Sequence, residues 1–182
     1  MRVVAGELRG RRIEAPPGTD TRPTTDKVRE ATFNALGSLD LVRDGIVVDL
    51  FAGSGALGIE ALSRGAARCT FIERDRTALR TLRDNIDALD LQDRARVVPG
   101  DAMVLGRGID ADLVLADPPY GFDRWPDLLD RVSAPFVVAE SGSEVQPADG
   151  WTIQRSKRYG RTWVTFLERD EPGIIAPLAP RQ

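Results

Sequence analysis

The chain has 182 residues, 42% of them hydrophobic and 29% charged, which is enough for one soluble domain with a sizeable core. Having no histidine and one cysteine, it excludes a histidine general base, a serine–histidine triad, an internal disulfide and any ordinary zinc shell. Its net charge of −3 gives no overall attraction to nucleic acid.

Residues 2–5 and 8–15 are short strand-like runs about Gly6-Glu7 and predict a hairpin, with Gly10 marking a bulge or a close approach. After a proline-rich loop, Arg22-Pro23-Thr24-Thr25-Asp26 opens a helix capped by Thr24 or Thr25. Its apolar stripe is Val28, Phe33 and Leu36, and it stops near Gly37. From residue 46 strands and helices alternate: strand 46–51, helix 56–64, strand 68–73, helix 76–89, strand 95–99. A short helix or turn follows Asp101, then come strand 112–117, helix 124–132 and strand 136–140. This alternation predicts an α/β fold with a mostly parallel sheet covered on both faces. The rhythm changes at 151–158 and 161–167, which flank Tyr159-Gly160 and predict an antiparallel hairpin. The expected organisation is an N-terminal hairpin extension at 1–24, a main domain at 25–170 and a loose proline-rich tail at 171–182. No apolar run reaches about 20 residues and the first residues are too soon charged for a secretory signal, so the expectation is a cytoplasmic protein without a membrane span. Cys69, in the middle of a strand, is expected to be a buried spacer.

Asp49-Leu50-Phe51-Ala52-Gly53-Ser54-Gly55-Ala56-Leu57-Gly58 joins a strand to a helix through glycines, which let the backbone approach a ligand at the helix N-terminus. The stretch satisfies the G-x-G-x-x-G dinucleotide pattern, and Glu73 lies about 20 residues on, where a ribose-binding acid is expected. A dehydrogenase would fit that pattern. The chain, however, has no second domain and no histidine to protonate a carbonyl, and Asp49 is suited to a positive group that a dinucleotide does not need held there. Three acids, Asp49, Glu73 and Asp101, end successive strands; each could hold a cofactor group or merely cap the next helix. Asp117-Pro118-Pro119-Tyr120 ends the fourth. Two prolines fix φ and remove two donors, leaving a stiff turn. The Asp117 carboxylate and the Pro118 carbonyl then offer two acceptors to an amino group on a planar ring, and Tyr120 offers a flat face to an unstacked base. The alternative is a Pro-Pro turn that simply ends a strand. Basic residues gather at 2–12, with Arg2, Arg9, Arg11 and Arg12 against Glu7, and at 151–169, with Arg155, Lys157, Arg158, Arg161 and Arg169 against Glu168. Such segregation marks either a phosphate-binding face or solvated strand edges that discourage aggregation.

Acids ending successive strands of a parallel sheet that closes with an antiparallel hairpin resemble the S-adenosylmethionine-dependent methyltransferase fold. The resemblance implies a Rossmann-like class I fold with a seven-stranded sheet and S-adenosyl-L-methionine as cofactor. It places Asp49 at the cofactor's amino-acid end, Glu73 on the ribose hydroxyls and Asp101 on the adenine amino group, with Phe51, Ala52, Gly53, Gly55, Arg74 and Ala102 around them. The Asp-Pro-Pro-Tyr turn is similar to that of enzymes methylating DNA adenine N6 or cytosine N4, ribosomal RNA guanine N2, or protein glutamine. Carbon-5 cytosine chemistry is disfavoured, because Cys69 lies in the wrong strand for its nucleophile. Arg2-Val3-Val4-Ala5-Gly6, Leu8-Arg9-Gly10-Arg11, and Arg22 to Glu30 with Phe33-Asn34 resemble the bacterial 16S ribosomal RNA guanine-N2 methyltransferases of the RsmD type, over nearly the whole chain. That resemblance implies methyl transfer to the exocyclic N2 of a guanine in small-subunit ribosomal RNA or an assembling small-subunit particle, catalysed at Asp117, Pro118, Pro119 and Tyr120. It also implies Arg22 and Thr24 beside the cofactor's methionine end; the segregated basic charge itself offers Arg2, Arg9, Arg11, Arg12, Arg155, Lys157, Arg158 and Arg161 as nucleic-acid contacts that clamp phosphates from both ends of the chain. A monomer without a metal is expected. A DNA amino methyltransferase using the same turn is the alternative.

Overall fold

A computed structural model describes residues 1–17, 26–146 and 148–170; the expectations for Arg22, Thr24, the helix cap and the tail lie outside these residues. The elements are α1 (Asp26–Ser38), β1 (Ile46–Leu50), α2 (Ala56–Ser63), β2 (Arg68–Glu73), α3 (Arg76–Ala88) and β3 (Ala95–Pro99), followed by α4 (Ala102–Leu105), β4 (Leu113–Ala116), α5 (Trp125–Arg131), β5 (Phe136–Ser141), β6 (Trp151–Tyr159) and β7 (Thr162–Arg169). They form one seven-stranded sheet in the order β3-β2-β1-β4-β5-β7-β6. The pairs from β3 through β5 are parallel and β7 joins antiparallel to β5 and to β6.

The central strands are apolar because they are covered on both sides. All of β4 is buried, and β1 is buried from Val47 to Leu50. One side is covered by α1, α2 and α3, through Phe33 and Leu36, Ile59 and Leu62, and Leu82 and Ile86. The other is covered by α4 and α5, through Met103, Trp125, Leu128 and Leu129. Helix α3 buries one stripe, with Leu79, Leu82 and Ile86 inside, and Asp75 caps its first turn by accepting from the Ala78 amide at 2.8 Å. Gly58 lets α2 sit on β2: a Cβ there would lie 2.3 Å from the Phe71 ring and 2.6 Å from Cys69 Sγ. Cys69 is buried as expected, and burial pushes its thiol pKa up, which keeps it protonated and unreactive.

The N-terminal segment departs from a free-standing hairpin. It is held by one bridge, Arg2 to Arg12, with backbone bonds joining Met1 to Ile13 and Val3 to Arg11, while residues 5–10 form consecutive turns. Gly10 is there for its φ of +83°, with open space around it. Gly6 is the close approach, since a Cβ on it would lie 1.8 Å from the Ser63 carbonyl oxygen. Val3 and Ile13 belong to the same buried cluster as α1, α2 and α3, so the segment is packed into the main core.

Candidate active site

Consecutive connections leave β1 toward β2 and β3 and leave β4 toward β5, so the chain reverses direction between β1 and β4, the place where an open α/β sheet forms its ligand crevice. Asp49 sits one residue before the end of β1, opposite Leu115, and Asp117 lies one residue beyond the end of β4. A cavity of about 470 Å3 opens there. It brings together the cofactor candidates Asp49, Phe51, Ala52 and Gly53, then Glu73, Arg74, Asp101 and Ala102, with all four residues of the Asp-Pro-Pro-Tyr turn. Gly55 is not part of its wall; with φ of +84° it turns the chain into α2 and packs against Leu82, Ile59 and Phe71.

The three acids differ in state. Asp49 is 1% exposed, and its carboxylate accepts from the Gly58 amide at 2.9 Å. Burial raises its pKa well above the usual carboxylate range. The Gly58 amide opposes that rise, and the negative charges of Asp117 and Glu73 add to it. A cation in the cavity would relieve this. Glu73 organises the loop: one carboxylate oxygen accepts from the Gly53 amide at 2.8 Å, and the other from the amides of Arg74 and Asp75, each at 2.7 Å. Asp101 caps α4 through the Met103 amide at 2.8 Å and meets Arg74 at 3.4 Å. Asp101 thus caps α4 with one carboxylate oxygen and meets Arg74 with the other while lining the cavity.

Phe51 has φ of +63°, rare for an aromatic residue and located at the cavity wall. Its ring meets Phe122 edge-on at 5.5 Å, and Phe122 meets Trp125 at 5.1 Å, which ties the glycine loop to the segment following the Asp-Pro-Pro-Tyr turn. Tyr120 is 74% exposed. A second cavity, of about 190 Å3, lies between Pro118 to Phe122 and Ser141-Gly142-Ser143. The two cavities share Pro118, Pro119 and Tyr120 as a common wall.

The basic candidates divide. Ser141 pairs with Trp163, and Trp163 with Arg158, so the Arg158–Arg161 turn stands at the carboxyl edge of the sheet beside the second cavity. Arg155 and Lys157 lie on the exposed edge strand β6, with the Lys157 ammonium 5.1 Å from the Tyr159 ring. The N-terminal turn goes the other way. Glu7 and Leu8 bond to Ser63, the last residue of α2, and Arg11 donates to Ala88 at the end of α3 at 2.6 Å. At 1.5 Å per residue these positions are about 10 Å and 18 Å along their helices from the cavity mouth. Arg2 and Arg12 are exposed and held by Gly10 and Glu14. The two basic segments therefore do not close around one point: Arg9 and Arg11 stand at the helix ends remote from the cavity.

Several residues escaped the sequence reading. Met1, Pro16 and Arg29 line the main cavity, and only the packing of the N-terminal segment and α1 could place them there. Arg76, Arg80 and Arg83 stand at helical spacing on the outer face of α3, with no hydrogen bond or ion pair among the described residues; their i, i+4, i+7 pattern was visible in the sequence. Among the described residues no group of three or more His, Cys, Asp or Glu is placed to hold a metal ion, and no helix is long and apolar enough to cross a membrane.

This sheet order with this crevice is that of the Rossmann-like methyltransferases, and the protein is an enzyme of that class. The solved structure of yhhF from Escherichia coli superposes with a TM-score of 0.81 at 35% identity, covering 93% of this chain and 98% of that one. The sequence matches the family described as "Conserved hypothetical protein 95" over residues 1–168, and the chain belongs to that family, the RsmD type. Among its relatives, YlbH of Bacillus subtilis is 38% identical over 93% of this chain and 99% of its own length. The ribosomal RNA small subunit methyltransferase D of Escherichia coli is 34% identical over 95% of this chain and 92% of its own.

Proposed function

We propose that the protein transfers a methyl group from S-adenosyl-L-methionine to the exocyclic N2 of a guanine in small-subunit ribosomal RNA. The observation that carries this reading is the pair of cavities sharing the Pro118-Pro119-Tyr120 wall: one of cofactor size edged by acids, the other smaller and beside a basic turn. The names of the relatives supply the RNA and its subunit. The donor set fits the cofactor. A buried carboxylate with a raised pKa suits an ammonium, Glu73 beside the glycine loop suits ribose hydroxyls, and Asp101 suits an adenine amino group.

When bound, S-adenosylmethionine supplies an electrophilic methyl group on a sulfonium. The chain's own residues supply position. The Asp117 carboxylate and the Pro118 carbonyl accept the two N–H bonds of the guanine amino group, which draws the nitrogen toward a tetrahedral shape and aims its lone pair. Tyr120 presents its ring to the unstacked base. The nitrogen–methyl bond forms as the sulfur–methyl bond breaks, and a proton leaves the nitrogen afterwards, so no strong base is required. Most of the rate then comes from alignment.

Methyl incorporation from labelled S-adenosylmethionine into unmethylated small-subunit particles, naked small-subunit RNA and duplex DNA tests the reading, with the labelled nucleoside identified. N2-methylguanosine in particles or RNA is the expected product. Label only in DNA, as methyladenine or methylcytosine, would overturn the substrate and leave the cofactor. Asp117→Ala should retain cofactor binding while turnover falls by about 100-fold or more.

A further inference from the structure

The main cavity has a buried cation that the reaction described above does not use. Arg29, in the first turn of α1, is 0% exposed and lines the same cavity as Asp49. Its hydrogen-bonding capacity is only partly spent. One terminal nitrogen donates to the Arg2 carbonyl and to Asp26 at 2.9 Å. Nε is buried without a hydrogen bond, 3.4 Å from Glu60. Among the described residues, the other terminal nitrogen, Nη1, meets only the Met1 thioether at 3.7 Å, a weak acceptor on a flexible side chain. Glu60 forms an ion pair with Nε and has no contact with Nη1; its oxygens also accept from the amides of Val4 and Ala5, at 2.8 and 3.0 Å, and from Arg64 at 2.8 Å. A guanidinium withdrawn from water with donors unspent is costly, and a carboxylate offering two oxygens is its natural complement.

We propose that Arg29 holds the carboxylate of the cofactor's amino-acid end while Asp49 holds its ammonium, an assignment that rests on the methyl-donor reading above. Two buried groups of opposite sign, brought to one cavity from α1 and β1, match a zwitterion. Neither a neutral nucleoside nor a dinucleotide would use both. The Met1 side chain is the piece displaced when the carboxylate arrives.

Decarboxylated S-adenosylmethionine, which lacks only that carboxylate, separates the possibilities when its binding to the intact chain is compared with that of S-adenosylmethionine by calorimetry. The wild-type protein should prefer the carboxylated ligand by about 10- to 100-fold, as for a charge-assisted bond. Arg29→Met should remove that preference while leaving affinity for the decarboxylated ligand within about twofold, and Arg29→Lys should retain part of it. An equal loss for both ligands in Arg29→Met would make Arg29 a structural strut and overturn the assignment. Absence of any preference in the wild type would overturn it too, and that arm needs no variant, so a misfolded Arg29→Met leaves the assignment open to disproof. Failure of the wild type to bind either ligand would instead overturn the cofactor reading itself.

Discussion

Under the proposed function, Asp49 is stabilised for one state and used in another. Its pKa is raised, chiefly by burial, so the empty protein holds a proton there at pH values where the unfolded chain has lost it. The stability linked to that proton is complete below the ordinary carboxylate range and is lost as pH rises through the raised value. A ligand ammonium favours the charged form and lowers the pKa again, so binding within that window expels a proton. Affinity for S-adenosylhomocysteine should therefore fall as pH drops below the raised value. Calorimetry in buffers of different ionisation enthalpy should register the released proton, and Asp49→Asn should flatten the profile. The same substitution keeps an oxygen for the Gly58 amide and removes the buried charge. At pH above the raised value, where Asp49 is charged, the empty Asn variant should thus melt on the order of 2–4 °C higher, about 1 kcal/mol for a chain of this size, while binding the cofactor more weakly. Gly58 poses the opposite case, since no flexible side chain can yield to an added methyl between Phe71 and Cys69. Gly58→Ala should lower the melting temperature by roughly 3–10 °C, from about 1–3 kcal/mol of overpacking, and thermal denaturation would measure it.

The N-terminal segment is the element whose role changed most between sequence and structure. The reversal of the chain about Gly6-Glu7 was legible, but the two runs make a single bridge, Arg2 to Arg12, and Leu8 to Gly10 belong to the turn. The segment's packing was not legible, since nothing local says that Val3 and Ile13 enter the main core or that Val4 and Ala5 cap a buried glutamate on α2. The elements from β1 to β7 were legible within a residue or two, because buried strands are apolar runs and α3 has a clean stripe. The acids and the Asp-Pro-Pro-Tyr turn were legible for a related reason: strand ends in a parallel sheet gather at one edge, so order along the chain becomes neighbourhood in space. Arg29 was not, because a charged residue inside an amphipathic pattern reads as solvated until a neighbour covers it. With Met1 and Pro16 in the cavity wall and Glu60 bound to two of its amides, the segment is part of the wall of the main cavity. Deletion of residues 1–15 should therefore strand the Arg29–Glu60 pair, lower the melting temperature and weaken S-adenosylhomocysteine binding at least about tenfold in the absence of RNA. An unchanged affinity would restore the separate appendage expected from sequence.

Across the whole molecule, the basic charge of an acidic chain is set out at different distances from the Asp-Pro-Pro-Tyr turn. The Arg158–Arg161 turn rises at the carboxyl edge beside the smaller cavity, whereas Arg9 and Arg11 lie near the far ends of α2 and α3. From the cavity mouth toward Arg11, at the opposite edge of the sheet from the Arg158–Arg161 turn, runs the outer face of α3 with Arg76, Arg80 and Arg83. Removing one arginine from its phosphate should reduce the slope of log affinity against log salt by about 0.7–0.9, wherever on the surface it lies. The effect on turnover should depend on place. Replacing Arg158 and Arg161 with alanine should lower the slope and kcat together, because the nucleotide beside Tyr120 loses its alignment. Replacing Arg9 and Arg11 should lower the slope by a similar amount and raise KM, while kcat at saturating small-subunit particles stays within about twofold. Steady-state kinetics on such particles at several salt concentrations would measure both. Equal losses of kcat from the two pairs would mean that the RNA wraps the N-terminal segment and the reacting turn as one rigid surface, and the division by distance would fall.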